Sequence, residues 1–548
     1  MSVPVRRLRW DGWGERPGSA FPDAGLRLLA AELGLSGRHT PPVPFDQVGV
    51  AQSRLSDPVL AALVAEVGED HVDRSRETRI RRSAGRSYPD LIRLRAGDAA
   101  VAPDAVVYPA THEEVAAALE ICAGAGVAVV PFGGGTSVVG GVEPLHEGFD
   151  SVIALDLARL DSVSTDHVSL TATLGAGLTG PRAEAALQSR GLTLGHFPQS
   201  YEFATIGGYV ATRSAGQAST GYGRIDDLVA AVRAATPAGD VETKPVPGTA
   251  AGPRLAQLLV GSEGTLGVIT EATLRVRPLP RAARYEGWSF RSFAAGADAF
   301  RALEQEGAAP DVARLSDEEE TRLALAVSSS GGGAERAGKA YLKLRGHEGG
   351  CIAIVGWEGT HDDVERRRSL TRSVLRDRGG VSLGARPGRS WLRSRYEGPY
   401  QRDALMDRDV MVETLETAAT WTDLMMLWGR VGDALRMSLG ERGTPPIVGA
   451  HISHLYPDGA SLYFTFLARR ETGREIEQWR AAKAAASDAI VSAGGTITHH
   501  HAVGRDHAPW MTAEVGELGV ELLRAAKGRL DPTGIMNPGK LLPEEDPS

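Results

Sequence analysis

The stretch Pro131-Phe132-Gly133-Gly134-Gly135-Thr136-Ser137-Val138-Val139-Gly140-Gly141 decides how the rest of the chain is read. Consecutive glycines carry no side chain to block an approaching ligand, so their backbone N–H groups converge on an anion. Thr136 and Ser137 add hydroxyl donors. The loop lacks the lysine of a nucleotide-triphosphate P-loop, and it does not match GxGxxG with a helix straight after. A pyrophosphate cradle of another kind remains, beside the plainer reading of a surface turn.

Upstream, Val106-Val107-Tyr108 reads as a strand, and Thr111-His112-Glu113-Glu114 has the spacing of a capping box. The helix that follows runs through Val115, Ala118, Leu119 and Cys122 and stops at Gly124 or Gly126, before a second strand at 127–130. Two strands joined by a helix make an α+β unit. Downstream, strands are expected at 151–155, 169–172 and 267–276, with a helix at 181–190. Strands at 351–357 and 461–467 sit among helical stretches at 362–378, 421–438 and 473–493, which suggests a second strand-and-helix domain. A last helix is expected near 515–528, and the run Ser328-Ser329-Ser330-Gly331-Gly332-Gly333 reads as a mobile loop. Residues 1–95, rich in Pro and Arg with a helical stretch at 57–67, suggest an extension wrapped over something larger.

Composition narrows the function. A chain of 548 residues at 42% hydrophobic buries more than one core, and a net charge of −9 without a long basic run argues against nucleic-acid binding. Two cysteines, Cys122 and Cys351, allow no disulfide framework and no zinc-ligand cluster, which fits a reducing compartment. The start Met1-Ser2-Val3-Pro4-Val5-Arg6-Arg7 lacks an apolar secretory region, and Glu120 and glycines break the best apolar stretch, 115–131, so no membrane span is expected. The end Glu544-Glu545-Asp546-Pro547-Ser548 is no peroxisomal address. A cytoplasmic protein is expected.

Three further segments extend the glycine-loop theme. They are Phe197-Pro198-Gln199-Ser200-Tyr201-Glu202-Phe203-Ala204-Thr205-Ile206-Gly207-Gly208, then Ala211-Thr212-Arg213-Ser214-Ala215-Gly216, then Gly261-Ser262-Glu263-Gly264-Thr265-Leu266-Gly267-Val268-Ile269-Thr270. Tyr222-Gly223-Arg224-Ile225-Asp226-Asp227-Leu228 lies between the last two. Small residues and hydroxyls spread over 131–270 suit a long dinucleotide better than a single phosphate.

A second constellation is Thr496-Ile497-Thr498-His499-His500-His501-Ala502-Val503-Gly504, which reads as a strand with His499 and His501 on one face and His500 on the other. Imidazole titrates near neutrality and suits proton transfer. A structural metal is the alternative, but no partner carboxylate or cysteine cluster is evident nearby in the sequence. His451-Ile452-Ser453-His454-Leu455-Tyr456-Pro457-Asp458-Gly459 reads as a hairpin turn that puts His454 and Tyr456 on one face. A tyrosine packed in a sheet is its plainer reading.

These segments, in this order, resemble the FAD-binding domain of the vanillyl-alcohol oxidase and p-cresol methylhydroxylase group, and within it the alkyldihydroxyacetonephosphate synthase family. The likeness runs from Trp10-Asp11-Gly12-Trp13-Gly14 to the C-terminal tail. It implies a two-subdomain FAD-binding unit at 96–282, a cap or substrate domain at 283–505, and a segment 506–548 returning to the first. By resemblance, Pro131 to Ser137, Gln199 to Tyr201, Ala204, Thr205, Gly208, Thr212 to Ala215, Glu263 to Thr265 and Gly267 to Ile269 line the FAD. Gln199 stands where the family tends to carry an acid. Covalent relatives often use a His or Cys near these loops, so Thr136 and Ser137 favour non-covalent FAD.

The same resemblance makes Tyr456 the catalytic tyrosine, His499, His500 and His501 the essential histidine run, and Arg402 the phosphate-gripping arginine. His196 and Arg314 match further substrate positions. The implied reaction replaces the acyl group of acyl-dihydroxyacetone phosphate by a fatty alcohol, through a redox-neutral flavin-adduct mechanism. A small-molecule or lipid substrate, an apolar tunnel, peripheral membrane contact and a homodimer are compatible with it. An FAD-linked 2-hydroxy-acid dehydrogenase or oxidase is the rival expectation.

Overall fold

The computed structural model describes residues 7–18, 20–328 and 332–544. The centre of the expected Ser/Gly loop, 329–331, lies outside the described residues.

The first unit forms around the parallel strands Ala105–Val107, Ser151–Asp156 and Val127–Phe132, fringed by the short antiparallel Val72–Asp73. The helix His112–Ala125 starts where Thr111 Oγ1 accepts the Glu114 N–H at 3.1 Å. Glu114 reaches back one residue further than a capping box requires, accepting from Ala110 N–H at 2.7 Å. Gly126 ends the helix with φ +64°, a conformation glycine adopts without penalty. Val115, Ala118, Leu119 and Cys122 face the sheet, fully buried.

The second sheet is antiparallel, in the order Val163–Asp166, Thr171–Gly175, Val268–Arg275, Val229–Thr236, Gly239–Glu242. Its first strand was not anticipated, and the strand expected at 169–172 begins at Thr171. The glycine-rich segments meet one another closely, Gly133 and Gly134 against Thr205 and Phe203, and Gly264 against Pro131.

The third unit is a seven-stranded antiparallel sheet in the order Val381–Gly384, Ala282–Phe290, Cys351–Gly359, Val312–Ser316, Ile447–Ile452, Gly459–Arg469, Val410–Thr420. Helices Phe293–Gln305, His361–Asp377, Leu424–Glu441 and Glu475–Ser492 pack on it around Trp288, Phe300, Trp357, Phe464 and Phe466. Removal of such large apolar side chains from water is the main stabilising term here.

Two chain ends tie the units together. Val129 N–H donates to Ile535 O and Asn537 N–H to Val129 O, both at 2.8 Å, so the C-terminal tail extends the first sheet. At the other end, Trp10 and Trp13 are buried, and the buried Arg86 guanidinium donates to Gly12 O (3.0 Å) and Arg9 O (2.6 Å). Arg86 N–H donates in turn to Ser137 O, so the N-terminal segment braces the first glycine-rich loop.

Candidate active site

The loop after Val127–Phe132 has the property an anion cradle needs. Among the described residues, none of the backbone N–H groups of Gly133, Gly134, Gly135, Thr136 and Ser137 donates to a protein acceptor. Five successive unsatisfied donors call for an acceptor from a ligand or water. The glycines are needed because the segments meet closely. A Cβ on Gly133 would lie 2.4 Å from Thr205 Oγ1, and one on Gly134 2.1 Å from Phe203 O. Gly264 sits against Pro131 in the same way, with a Cβ 2.8 Å from its ring.

The other candidate cofactor residues fall around this cradle. Thr205 caps the helix Ile206–Ala211, accepting from Gly208 N–H, and Thr212 donates its hydroxyl to Gly208 O at 2.9 Å. Gln199 is exposed and accepts from Gln217, Ser200 begins the turn that closes at Ala204, and Tyr201 stacks on Tyr396 at 5.5 Å. Arg213 turns away, giving its guanidinium to Val260 O and Gln257 O. Val268 and Ile269 point into separate apolar cores, which leaves only their backbone near a ligand, while Thr265 donates to Ser262 O at 2.7 Å. Arg213 and Glu263 hold φ of +51° and +52°, a left-handed conformation uncommon in side-chain-bearing residues, which suits sharp corners beside a ligand.

Glu263 is fully engaged elsewhere: its carboxylate accepts the N–H groups of Val503 (2.8 Å) and Gly504 (2.7 Å). This joins the last glycine-rich loop to the histidine segment.

That segment is not the strand its alternation suggested. Residues 496–504 follow an irregular path with no ladder partner among the described residues. Three carboxylates take the place of a neighbouring strand. Glu514 accepts Ile497 N–H at 2.9 Å, Glu263 holds Val503 and Gly504, and Glu416 serves the histidines. Glu416 lies fully buried in strand Val410–Thr420 and accepts the N–H groups of His499 (2.5 Å), His500 (3.1 Å) and His501 (2.7 Å) and the Thr498 hydroxyl (2.6 Å). Burial pushes its pKa up, but the adjoining imidazoles and Thr498 outweigh this and hold it well below the ordinary carboxylate value. A carboxylate collecting four donors stays ionised.

The imidazoles do not alternate between faces. His499 Nε2 meets the Tyr456 hydroxyl at 2.6 Å, and His499 Nδ1 meets His500 Nδ1 at 2.9 Å. One assignment satisfies both contacts with neutral rings: Tyr456 donates to His499, and His499 donates to His500. His454 stacks on His499 at 5.0 Å and pairs with Ser219 Oγ at 2.5 Å. Tyr463 links His500 (5.9 Å) to His451 (4.8 Å). Burial holds the imidazoles of His454 and His499 well below the usual value, and that of His501 at about 3. Neutral rings at pH 7 are able to accept a proton. Burial raises the Tyr456 phenol to about 12, while the Arg224 guanidinium pulls the other way.

Arg314 joins this group through His451. Its guanidinium faces that ring at 2.9 Å and pairs with Glu320 Oε1 at 2.6 Å. His196, 1% exposed, meets Ser214 Oγ at 2.7 Å through Nε2, and its Nδ1 is buried without a partner. Arg402 lies apart, donating to Arg86 O at 2.7 Å beside Asp403, with a buried, unpaired Nε. Among the described residues, no hydrogen bond or ion pair joins it to Arg314, Tyr456 or the histidines. Nitrogens of His454, His499 and His500 lie within 4.8 Å of one another, a set with metal-ligand chemistry as well as acid–base chemistry. Sequence reading missed Glu416, Ser219 and the Glu320–His451 partners of Arg314. The signal for Glu416 was an acid within the mostly apolar strand Val410–Thr420, a signal it shares with Glu413.

A cradle of free N–H groups beside a buried cluster of neutral imidazoles and a tyrosine suits an anionic cofactor, and the family matches make the class an FAD-linked enzyme. The FAD binding domain model matches residues 103–244, and the FAD linked oxidases, C-terminal domain model matches residues 279–541. A solved p-cresol methylhydroxylase shares the fold at TM-score 0.64 and 16% identity, covering 90% of this chain and 97% of that one. The chain belongs to the alkyldihydroxyacetonephosphate synthase family. It is 33% identical to the enzyme of that name from Dictyostelium discoideum, over 98% of this chain and 94% of that protein. A solved alkyldihydroxyacetonephosphate synthase superposes at TM-score 0.84 with 30% identity, over 98% of this chain and 99% of that chain.

The cradle fits FAD, whose pyrophosphate would accept from the N–H groups of residues 133–137. Gly134→Ala is expected to weaken FAD binding roughly tenfold or more, since the added methyl overlaps Phe203 O. The flavin-to-protein absorbance ratio after dilution checks this.

Proposed function

We propose that the protein exchanges the acyl group of acyl-dihydroxyacetone phosphate for a fatty alcohol, releasing a fatty acid and forming an ether. The observation that carries this reading is the 2.6 Å contact of Tyr456 with His499, set within a cluster of neutral imidazoles. The bond from carbon to the departing carboxylate breaks, a bond from that carbon to the alcohol oxygen forms, and the alcohol proton leaves with the acid. No net electrons move. An imidazole of His499, His500 or His501 takes the proton from the carbon beside the ketone, and Tyr456 assists its transfer. Arg402 grips the phosphate with the free part of its guanidinium, and His196 and Arg314 border the substrate. FAD, held non-covalently along 131–137, 199–208, 212–215 and 263–269, supplies an electron sink for the exchange.

On this reading the cap spans 283–505, over an FAD unit at 96–282 flanked by 1–95 and 506–548. Among the described residues no helix is long and apolar enough to cross a membrane. Long-chain substrates then reach a cytoplasmic enzyme, as monomer or homodimer, by peripheral contact with a lipid surface. Incubation with labelled hexadecanol and palmitoyl-dihydroxyacetone phosphate tests the chemistry. An alkali-stable labelled product, formed one for one with released palmitate, is expected. An alkali-labile ester, or no product while 2-hydroxy acids reduce an electron acceptor, would overturn the reading.

A further inference from the structure

We propose that Glu263 is a positioning residue: its carboxylate fixes the histidine segment against the glycine-rich loops, so that loops and imidazoles hold one set relation. The role rests on the reading of the Tyr456–His499 pair as the acid–base centre. Residues 499–504 hang between two buried acids from different units. Glu416, on the strand Val410–Thr420 of the third unit, takes the N–H groups of His499, His500 and His501. Glu263, on the last glycine-rich loop, takes those of Val503 (2.8 Å) and Gly504 (2.7 Å). The first glycine-rich loop grips the same end: Val139 O accepts from Arg505 N–H at 2.9 Å and from Asp506 N–H at 3.2 Å. Gly504 lies so close to that carbonyl that a Cβ would stand 2.1 Å from Val139 O. The tail closes the junction. Leu541 N–H donates to Gly504 O at 2.9 Å, and Asn537 Nδ2 donates to Glu263 O (2.7 Å) and Gly141 O (3.1 Å).

Backbone strain marks the same place. Glu263 (φ +52°), Ala502 (φ +75°), Asn537 (φ +40°) and Leu541 (φ +67°) are four of the eight side-chain-bearing residues in left-handed conformations among the described residues. Such residues persist only where surrounding contacts over-determine them. The loop of Glu263 is also tied by its backbone: Glu263 N–H donates to Ala211 O at 2.9 Å, and Asn537 holds its carbonyl. Removing the carboxylate therefore leaves the loop anchored and releases the end of the histidine segment. Burial pushes the Glu263 carboxyl up to about 7, while the Val503 and Gly504 N–H groups and the Lys540 ammonium pull it down. Above that pH the group is ionised, and both of its oxygens accept.

The test compares holoenzymes at about pH 8 with FAD saturating. Glu263→Gly suits the left-handed backbone and removes the carboxylate. Hydrogen–deuterium exchange in fragments spanning 499–506 is expected to quicken roughly tenfold or more, with the strand Gly459–Arg469 unchanged. Bound flavin stays stoichiometric, KM for the acyl substrate stays within about twofold, and kcat falls roughly ten- to hundredfold. Glu263→Gln keeps one acceptor oxygen and is expected to recover part of the protection and part of kcat. Unchanged exchange across 499–506 in Glu263→Gly overturns the proposal. So does a kcat equal to the wild type's once FAD is saturating, which marks a residue of cofactor retention alone, and so does Glu263→Gln protected no better than Glu263→Gly. If Glu263→Gly fails to fold, Glu263→Gln is set against the wild type, and unchanged exchange there overturns the proposal. Absence of ether product from the wild-type protein would instead refute the function, and the exchange result would still decide whether Glu263 anchors the segment.

Discussion

Tyr456→Phe is expected to lower turnover by about a hundred- to ten-thousandfold while FAD remains bound. The hydroxyl is the only atom removed, and it contacts His499 Nε2 at 2.6 Å, so the change deletes one end of a proton path without opening a cavity. The ring sits among groups that stay in place: His454 stacked on His499, and Glu416 holding the backbone beneath. Stability is therefore expected to change by less than about 1.5 kcal/mol. Single-turnover rates under saturating substrate, set beside flavin content and thermal unfolding, check both halves. A variant that turns over normally would remove Tyr456 from the chemistry.

Glu416→Ala is the most damaging substitution for the architecture of the site. It strips the acceptor from three backbone N–H groups and the Thr498 hydroxyl at once. Each buried group left unsatisfied costs about 1–3 kcal/mol, so a total loss of roughly 3–5 kcal/mol is expected once water partly replaces the carboxylate. The histidine segment has no sheet ladder to fall back on, and turnover is expected to drop by more than about a hundredfold. Acid dependence distinguishes the charge from the shape. The pKa of Glu416 is lowered in the folded protein from an ordinary 4.5, so its contribution is full above about pH 4.5 and fades as pH falls through the lower folded value. Glu416→Gln is expected to flatten that part of the acid-unfolding curve.

The first glycine loop was legible because its signal is local: consecutive glycines permit close backbone approach wherever they occur. Helix starts were legible for the same reason, as Thr111 before His112–Ala125 and the stretch Asp57–Val67 illustrate. The segment 496–504 was misread as a strand because its donors are satisfied from Glu416 and Glu263, far away in the chain. Alternation in the sequence carries no trace of such partners.

The most direct measurement is the flavin absorbance of the purified protein under anaerobic conditions, first with acyl-dihydroxyacetone phosphate and then with a fatty alcohol. The exchange reaction predicts that the acyl substrate bleaches the flavin and the alcohol restores its colour, with D- and L-2-hydroxy acids having no effect. Lasting full bleaching by a 2-hydroxy acid, with no response to the acyl phosphate, would contradict it.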